Sequence, residues 1–561
     1  MTPRPPRTAT VVGSGPNGLA AAVVLAEAGL RVTVVEAADT VGGGTRSAGL
    51  MVPGVVHDLC SAAHPLAQAS PFFHRYGDRL ADHGLAFATA EVDMVHVLDA
   101  SRTASLHTDV SRTAAGFGDA RDARAWRARV GSSASHADDI AAEFLQPVLH
   151  LPRRPLLFAG FGVNAALPAT WSRRRFRTAE ARALTAGIAA HAFTPLTRPG
   201  SSAAGALLTA AGHRYGWPVA VGGSQAIADA LVGLLESLRG SVFTDTPVTD
   251  LGEVADADVV LLDTSVETAA SILGPRLPER VGRAWRRFRR GPAMAKVDYV
   301  LDGDVPWTAP DARRAGTVHL GGTAEQITAA EQDCWDGRLP SRPFTLVCQQ
   351  YLADPSRSTV VDGRRLNPLW AYAHVPAGWD GTPQQTFELV TTQIEDAAPG
   401  FREHIVDHVA SPPTVVEAHN RNNAGGEISG GANDLVQLLA RPRFSPDPYS
   451  TGIPGVYLCS SSTAPGGGVH FMCGMNAAVR ALGALRGHHL AIGSAPAGDT
   501  MGIARWTTAP RRTSLSRRSP SPSPSTPPFP QSGECAPHGA AGSSRYFPRL
   551  RRPRPGAHGR R

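Results

Sequence analysis

Thr8-Ala9-Thr10-Val11-Val12-Gly13-Ser14-Gly15-Pro16-Asn17-Gly18 decides how this chain is read. An apolar run enters a glycine loop, and the Ala/Leu-rich stretch Leu19 to Ala28 then has helical composition and stops at Gly29. A second β-branched run, Val32-Thr33-Val34-Val35, ends at Glu36. Strand, glycine loop, helix, strand and acid in this order are a dinucleotide-binding βαβ unit. Gly13 allows the tight turn, Gly15 lets a diphosphate approach the backbone, and Gly18 lets helix pack on strand. Pro16 and Asn17 open the helix, whose N-terminal N–H groups and dipole favour phosphate. Glu36 stands where a carboxylate accepts hydrogen bonds from ribose hydroxyls, and it would repel a 2′-phosphate, which disfavours NADP.

A second glycine turn follows at once, Gly42-Gly43-Gly44-Thr45-Arg46. Paired glycine turns suit a longer cofactor, FAD. Here the chain resembles the flavoprotein superfamily that includes amine oxidases and phytoene desaturases, in which paired glycines follow the ribose-binding Glu. An Arg directly after the pair is common there; in this chain Gly44 takes that place, and Arg46 is the nearest cation.

Working outward, Val55 to Pro65 clusters His57, Asp58, Cys60 and His64 without a standard metal-ligand spacing, so it reads as pocket lining and no metal is expected. Residues 90–214 show no second nucleotide fingerprint and fit an inserted substrate domain. His191, near the end of a helical stretch from Phe176 to Ala192, reads as an interior histidine. Gly222-Gly223-Ser224 leads into a helix over Gln225 to Leu238. Val242 to Thr244 and Val248 to Leu251 read as paired strands, and Asp258 to Leu262 as a buried strand. The resemblance puts backbone near Val248 against the adenine. No second GxGxxG or Cys pair marks a separate NAD(P)H domain.

Strand-like runs alternate with turns between 291 and 380, as in an antiparallel sheet flooring a pocket. Lys296, the single lysine of the chain, admits two readings: a lysine beside the flavin, or, more commonly, a pairing or snorkelling surface lysine at a strand start. Gly455 to Val469 forms the second strong signal, a short apolar strand running into Ser460-Ser461-Ser462-Thr463-Ala464-Pro465-Gly466-Gly467-Gly468-Val469. Its backbone N–H groups suit a diphosphate, ribitol or the pyrimidine edge of a flavin. The segment resembles the glycine-rich C-terminal turn of phytoene dehydrogenase-like oxidoreductases, with Ser460 where Gly is usual and Ala464 where His is common. Lys296 to Leu301, Asp354 to Arg357, Ala373 to Pro376, Gly425 to Ile428 and Arg441-Pro442 resemble the same subgroup, so the likeness covers residues 8–490.

The resemblance implies an α/β fold: a Rossmann-type FAD-binding domain of the glutathione reductase and amine oxidase kind, with an inserted β-rich substrate domain. The expected boundaries are an N-terminal extension over 1–7, a discontinuous FAD domain over 8–90, 215–290 and 415–492, and a substrate domain over 91–214 and 291–414. The implied cofactor residues are Gly13, Gly15, Pro16, Asn17, Gly18, Glu36, Gly42, Gly43, Gly44, Arg46, Val248, Ser462, Gly466, Gly467, Gly468 and Val469. The implied activity is desaturase-like dehydrogenation of an apolar or amphipathic small molecule, with oxygen or a quinone as electron acceptor. A flavin amine oxidase and a non-catalytic FAD-stabilised interaction protein are the alternatives, because no residue declares itself a required acid or base.

The chain has 561 residues and a net charge of +7. Residues 501–561 hold twelve arginines against one acid, Glu534, and so carry +11, leaving −4 on the rest. The body therefore makes no electrostatic case for nucleic-acid binding. Residues 493–561, with the Ser/Pro run Ser519 to Pro530, read as a disordered Arg/Pro/Ser-rich tail. Six scattered cysteines without CxxC spacing fit a reducing cytoplasm. No signal sequence or transmembrane run is read, which leaves room for peripheral membrane contact. Oligomeric state is not legible.

Overall fold

The computed structural model describes residues 7–492; the expected disordered tail and most of the N-terminal extension lie outside them. The β-branched runs form a five-stranded parallel sheet. Its order is Val456–Leu458, Val259–Leu262, Thr8–Val12, Arg31–Val35, Ser241–Phe243. A parallel sheet must be covered on both faces. On one side Pro16–Glu27 is buried along almost its whole length. Its alanines let the long helix Met472–Ile492 approach so closely that a Cβ on Gly474 would fall 1.8 Å from the Asn17 carbonyl oxygen. On the other side Val266, Ala269, Ile272 and Leu273 pack against Val12, Val260 and Leu262.

A second, eight-stranded sheet runs Ile405–Ser411, Ala293–Asp302, Arg364–Val375, Thr345–Cys348, Ala315–Leu320, Val92–Val97, Thr103–Leu106, with Thr359–Val361 pairing Arg364–Val375. All its pairings are antiparallel except Val92–Val97 with Ala315–Leu320. The first sheet draws strands from 8–90, 215–290 and 415–492, and the second from 91–214 and 291–414.

Period-two alternation divides the second sheet into two faces. Val297, Tyr299, Leu301, Leu369, Ala371 and Ala373 pack under helix Pro383–Ala397 through Val390 and Ile394. Met294, Leu346, Cys348, Trp370 and Tyr372 form the opposite face with Phe193 and Val416. Seven helices between Val110 and Tyr215 accompany this sheet. The region over 91–214 and 291–414 is therefore a sheet with a helical layer.

Two local readings change. Val248 to Leu251 is not a strand, because the Asp250 side chain accepts from Gly252 N–H and, with Glu253, builds a capping box for the turn Leu251–Val254. Ser241–Phe243 instead pairs in parallel with Arg31–Val35. Nor is Lys296 a surface lysine: it is 1% exposed, paired with Asp298 two residues along the same face, with its ammonium 5.8 Å from the Trp370 ring centroid. Burial, set against the Lys296 charge, pushes the Asp298 carboxyl up to about 6.

Candidate functional site

The glycine loop takes its shape from what lies beneath it. Gly13 has φ +100°, and a Cβ there would sit 2.7 Å from the Asp263 carbonyl oxygen. A Cβ on Gly15 would reach within 2.6 Å of Asp263 Oδ2, and one on Gly18 within 2.3 Å of the Gly13 carbonyl oxygen. Each glycine thus marks a close approach, with Asp263 at the strand end as the common neighbour. Helix Pro16–Glu27 starts with Pro at its first turn, and its N-cap Gly15 has no side chain to cap it, so the Asp263 carboxyl reaches its N-terminus from the neighbouring strand. Gly18 N–H donates to Asp263 Oδ2 at 2.9 Å. Asn17 Oδ1 is buried without a hydrogen-bond partner among the described residues.

Glu36 closes the other end of this unit. Its Oε2 accepts from the Ser14 N–H at 2.8 Å and the Ser14 hydroxyl at 2.6 Å, while Oε1 accepts from Ala38 N–H at 2.9 Å. The second glycine turn docks on the first: Gly42, at φ +116°, donates its N–H to the Ser14 carbonyl at 3.1 Å, and a Cβ on Gly43 would lie 3.0 Å from Gly15 Cα. Arg46 is buried, donating from Nε to the Gly43 carbonyl at 3.1 Å and from Nη2 to the His419 carbonyl at 2.5 Å.

The C-terminal glycine turn arrives from the far end of the chain. A Cβ on Gly466 would lie 2.3 Å from Arg441 Nη1, and one on Gly467 2.6 Å from the Ser429 carbonyl oxygen. Arg441 is itself buried, held by Asn433 Oδ1 at 3.0 Å and the Gly431 carbonyl at 2.5 Å. His470 ring nitrogen and the Gly466 carbonyl are 3.1 Å apart.

These three turns open on one cavity of about 880 Å³, within the roughly 300–1,000 Å³ usual for small-molecule sites. Of the residues expected from sequence, Gly13, Gly15, Pro16, Asn17, Glu36, Gly43, Gly44, Arg46, Val248, Gly467, Gly468 and Val469 line it. Gly18, Gly42, Ser462 and Gly466 do not; they pack behind the loops, and Ser461 stands at the wall where Ser462 was expected. His64 lines the cavity with Nε2 2.9 Å from Ser224 Oγ, and burial pushes it down to about 4.

Several lining residues carry no sequence signal. Asp263 is the foremost: burial, and secondarily the Glu36 charge, pushes its carboxyl up to about 7. Asn422 donates to the Asp263 carbonyl at 3.0 Å and accepts from Ser265 N–H at 2.7 Å, pinning the strand end. Away from the glycine loops the wall becomes apolar and aromatic, with Phe193, Trp217, Leu346, Trp370 and Tyr372. His191 also faces the cavity, with its Nε2 3.1 Å from His319 Nε2. Burial pushes His191 down to about 3 and His319 well below its ordinary value, so both imidazoles are neutral near pH 7 and one donates to the other. Among the described residues the carboxylates in the lining are Glu36 and Asp263, both at the glycine-loop end.

Behind the wall, Arg357 is fully buried between Asp58 at 2.6 Å and Asp354 at 3.3 Å and donates to the Ala220 carbonyl at 2.6 Å. Asp58 also accepts from Ser47 Oγ and Ser224 N–H, both at 2.7 Å. This cluster ties the segment after the second glycine turn to the second sheet's end. Among the described residues no group of three or more His, Cys, Asp and Glu side chains could hold a metal ion.

A parallel sheet fed by one glycine loop, with two further glycine turns brought to the same cavity over a second sheet, defines an α/β fold of the Rossmann type. Comparison with known proteins agrees. Residues 11–78 match the family model described as an NAD(P)-binding Rossmann-like domain. The chain is 26% identical over 546 residues to the rat (Rattus norvegicus) protein named pyridine nucleotide-disulfide oxidoreductase domain-containing protein 2, covering 85% of this chain and 93% of that one. Among solved structures, it superposes on a putrescine oxidase variant at TM-score 0.56 and 17% identity, covering 86% of this chain and 99% of the other. An oxidoreductase from Methanosarcina mazei gives 0.55 and 14%, over 86% and 100%. At such identities the likeness to these structures is one of fold.

Proposed function

We propose that this protein is an FAD-dependent oxidoreductase that dehydrogenates an apolar or amphipathic small molecule, as desaturase-like enzymes do, and passes electrons to oxygen or a quinone. One observation carries the reading: a single cavity joins three glycine turns to an aromatic floor that contains no carboxylate. The residues fit the cofactor. Glu36 offers acceptors for ribose hydroxyls, Gly13 to Gly15 and Gly43 bring bare backbone together, and the helix N-terminus, with Asn17 at the cavity wall, favours a diphosphate. When bound, FAD accepts a hydride from the substrate.

The chain's own residues then bind, orient and exclude water. Gly467, Gly468 and Val469 would present backbone to the flavin, Arg441 fixes that turn from behind, and Trp370, Tyr372 and Phe193 give the substrate an apolar aromatic wall. Strand register aims Trp370 and Tyr372 at the cavity, opposite Asp298 and Lys296. The described residues lining the floor include no carboxylate, and Asp298, on the same sheet face across from Trp370, is held by Lys296, which supports a neutral substrate over a cationic amine. The test is anaerobic reduction of the purified flavoprotein by a neutral polyene donor and by an amine panel. Bleaching of the flavin bands by the polyene is expected; bleaching by amines alone would replace this reading with an amine oxidase.

A further inference from the structure

Helix Pro155–Ala166, Pro-Leu-Leu-Phe-Ala-Gly-Phe-Gly-Val-Asn-Ala-Ala, bears no charge. One side is used: Phe161 and Ala165 pack with Ile140 and half-buried Phe144, Leu157 and Leu207, and both line the cavity. The other side faces solvent with apolar atoms. Leu156 is 91% exposed and Val163 64%; the adjoining Leu151 is 93%, Leu149 60% and Trp171 55% exposed. Isolated exposed leucines are ordinary, but a cluster of five large apolar side chains within 23 residues of one segment marks an interaction surface.

Its charge says what it meets. Residues 144–178 contain six arginines, Arg153, Arg154, Arg173, Arg174, Arg175 and Arg177, and no Asp or Glu. Arg174, Arg175 and Arg177 are exposed on the C-terminal side of the apolar helix, and Arg154, paired with Asp139 at 2.8 Å, stands on its N-terminal side. Apolar side chains and an aromatic rimmed by arginine fit the interface of an anionic bilayer: the apolar groups enter the acyl boundary while guanidinium groups stay with the lipid phosphates. No helix among the described residues is long and apolar enough to cross a membrane, so the segment would lie on the surface.

We infer that the exposed face of Leu149 to Arg175 docks on anionic phospholipid bilayers. Phe144, Leu145, Val148, Phe161 and Ala165 belong to the same segment or its approach and line the cavity, so docking places the cavity wall at the lipid. Entry of an apolar substrate from that lipid rests on the function proposed above; the docking itself does not.

The test is flotation of the full chain with phosphatidylcholine vesicles containing or lacking phosphatidylglycerol, at low and high salt. The Arg-rich residues 501–561 are present throughout, so high salt separates their screened attraction from apolar insertion. Wild-type protein is expected to float with anionic vesicles and to remain bound at high salt. The double variant L151E/L156E should lose at least about tenfold in partitioning there, with flavin content and far-UV circular dichroism unchanged. R174Q/R175Q should weaken binding to anionic vesicles only. Brominated lipid should quench a fluorescence component that W171F removes. Equal flotation of wild type and L151E/L156E at high salt would overturn the inference. So would absence of binding to either vesicle, or wild-type dimers that dissociate in L151E/L156E without lipid, since the face would then cover a second copy.

Discussion

Replacing Asp263 by Asn isolates the electrostatics of the glycine loop. Asp263 is buried, and its Oδ2 accepts from Gly18 N–H at 2.9 Å. Asn preserves size and an acceptor for that bond but cannot ionise. Burial, reinforced by Glu36, raises the carboxyl from 3.8 to about 7. The sign follows from proton linkage. A raised acid pKa means that the folded state keeps a proton which the unfolded chain gives up at its ordinary value. Stability from this group is complete below about pH 4, falls as pH rises toward about 7, and is level above. Three pKa units correspond to about 4 kcal/mol, at 1.36 kcal/mol per unit. Urea unfolding of the cofactor-free protein should therefore show D263N gaining on wild type by about 4 kcal/mol between pH 4 and pH 8, with less than half of that reached by pH 5. A bound diphosphate beside the carboxyl would favour the protonated form further, so wild-type cofactor affinity should decline above pH 7 while that of D263N stays level. Parallel pH profiles for the two proteins would refute this account, because Asp263 would then be ionised throughout.

Gly15→Val should purify without flavin, since its Cβ would press within 2.6 Å of Asp263 Oδ2; stoichiometric flavin in this variant would contradict the placement of the diphosphate. Arg357→Ala strands Asp58 and Asp354 in the interior and should cost about 3–5 kcal/mol in denaturant unfolding near pH 7. Although burial alone would raise it, Arg357 holds Asp58 below the usual carboxylate range; the wild-type advantage should persist above that range and fade as pH falls through the lowered value. A loss below about 1 kcal/mol near pH 7 would show that the cluster contributes little. Gly187→Ala places a Cβ 2.6 Å from His96 Nδ1 and 3.1 Å from His319 Nδ1, so a loss of about 1–3 kcal/mol is expected, and an unchanged melting temperature would argue against that packing.

The βαβ unit was legible because its signals are local: glycine spacing, β-branched runs and a closing acid all fall within 37 residues. The C-terminal turn was legible for the same reason, although which serine reaches the wall is tertiary: Ser461 packs against Gly430, where a Cβ would lie 2.7 Å from its own. Asp263, just past the strand read over Asp258 to Leu262, carries no local signal, since its meaning comes from Gly15 and Gly18, some 245 residues earlier. Burial of Lys296 is likewise tertiary: its partner Asp298 is near in sequence, but Trp370 arrives from a neighbouring strand. The turn at Asp250 was misread on the β-branched composition of Val248-Thr249, though Asp250 and Glu253 carried the capping-box spacing that wins locally. Exposure of helix Pro155–Ala166 could not be read at all, because an uncharged helix looks the same buried or bare.

The central claim is that the three glycine turns hold one FAD. The most direct measurement is the absorbance spectrum of purified protein, followed by heat release and identification of the nucleotide. The account predicts flavin bands and one FAD per chain, with free FAD rebinding to the stripped protein. Folded protein that carries no flavin and takes up none when FAD is added would contradict it.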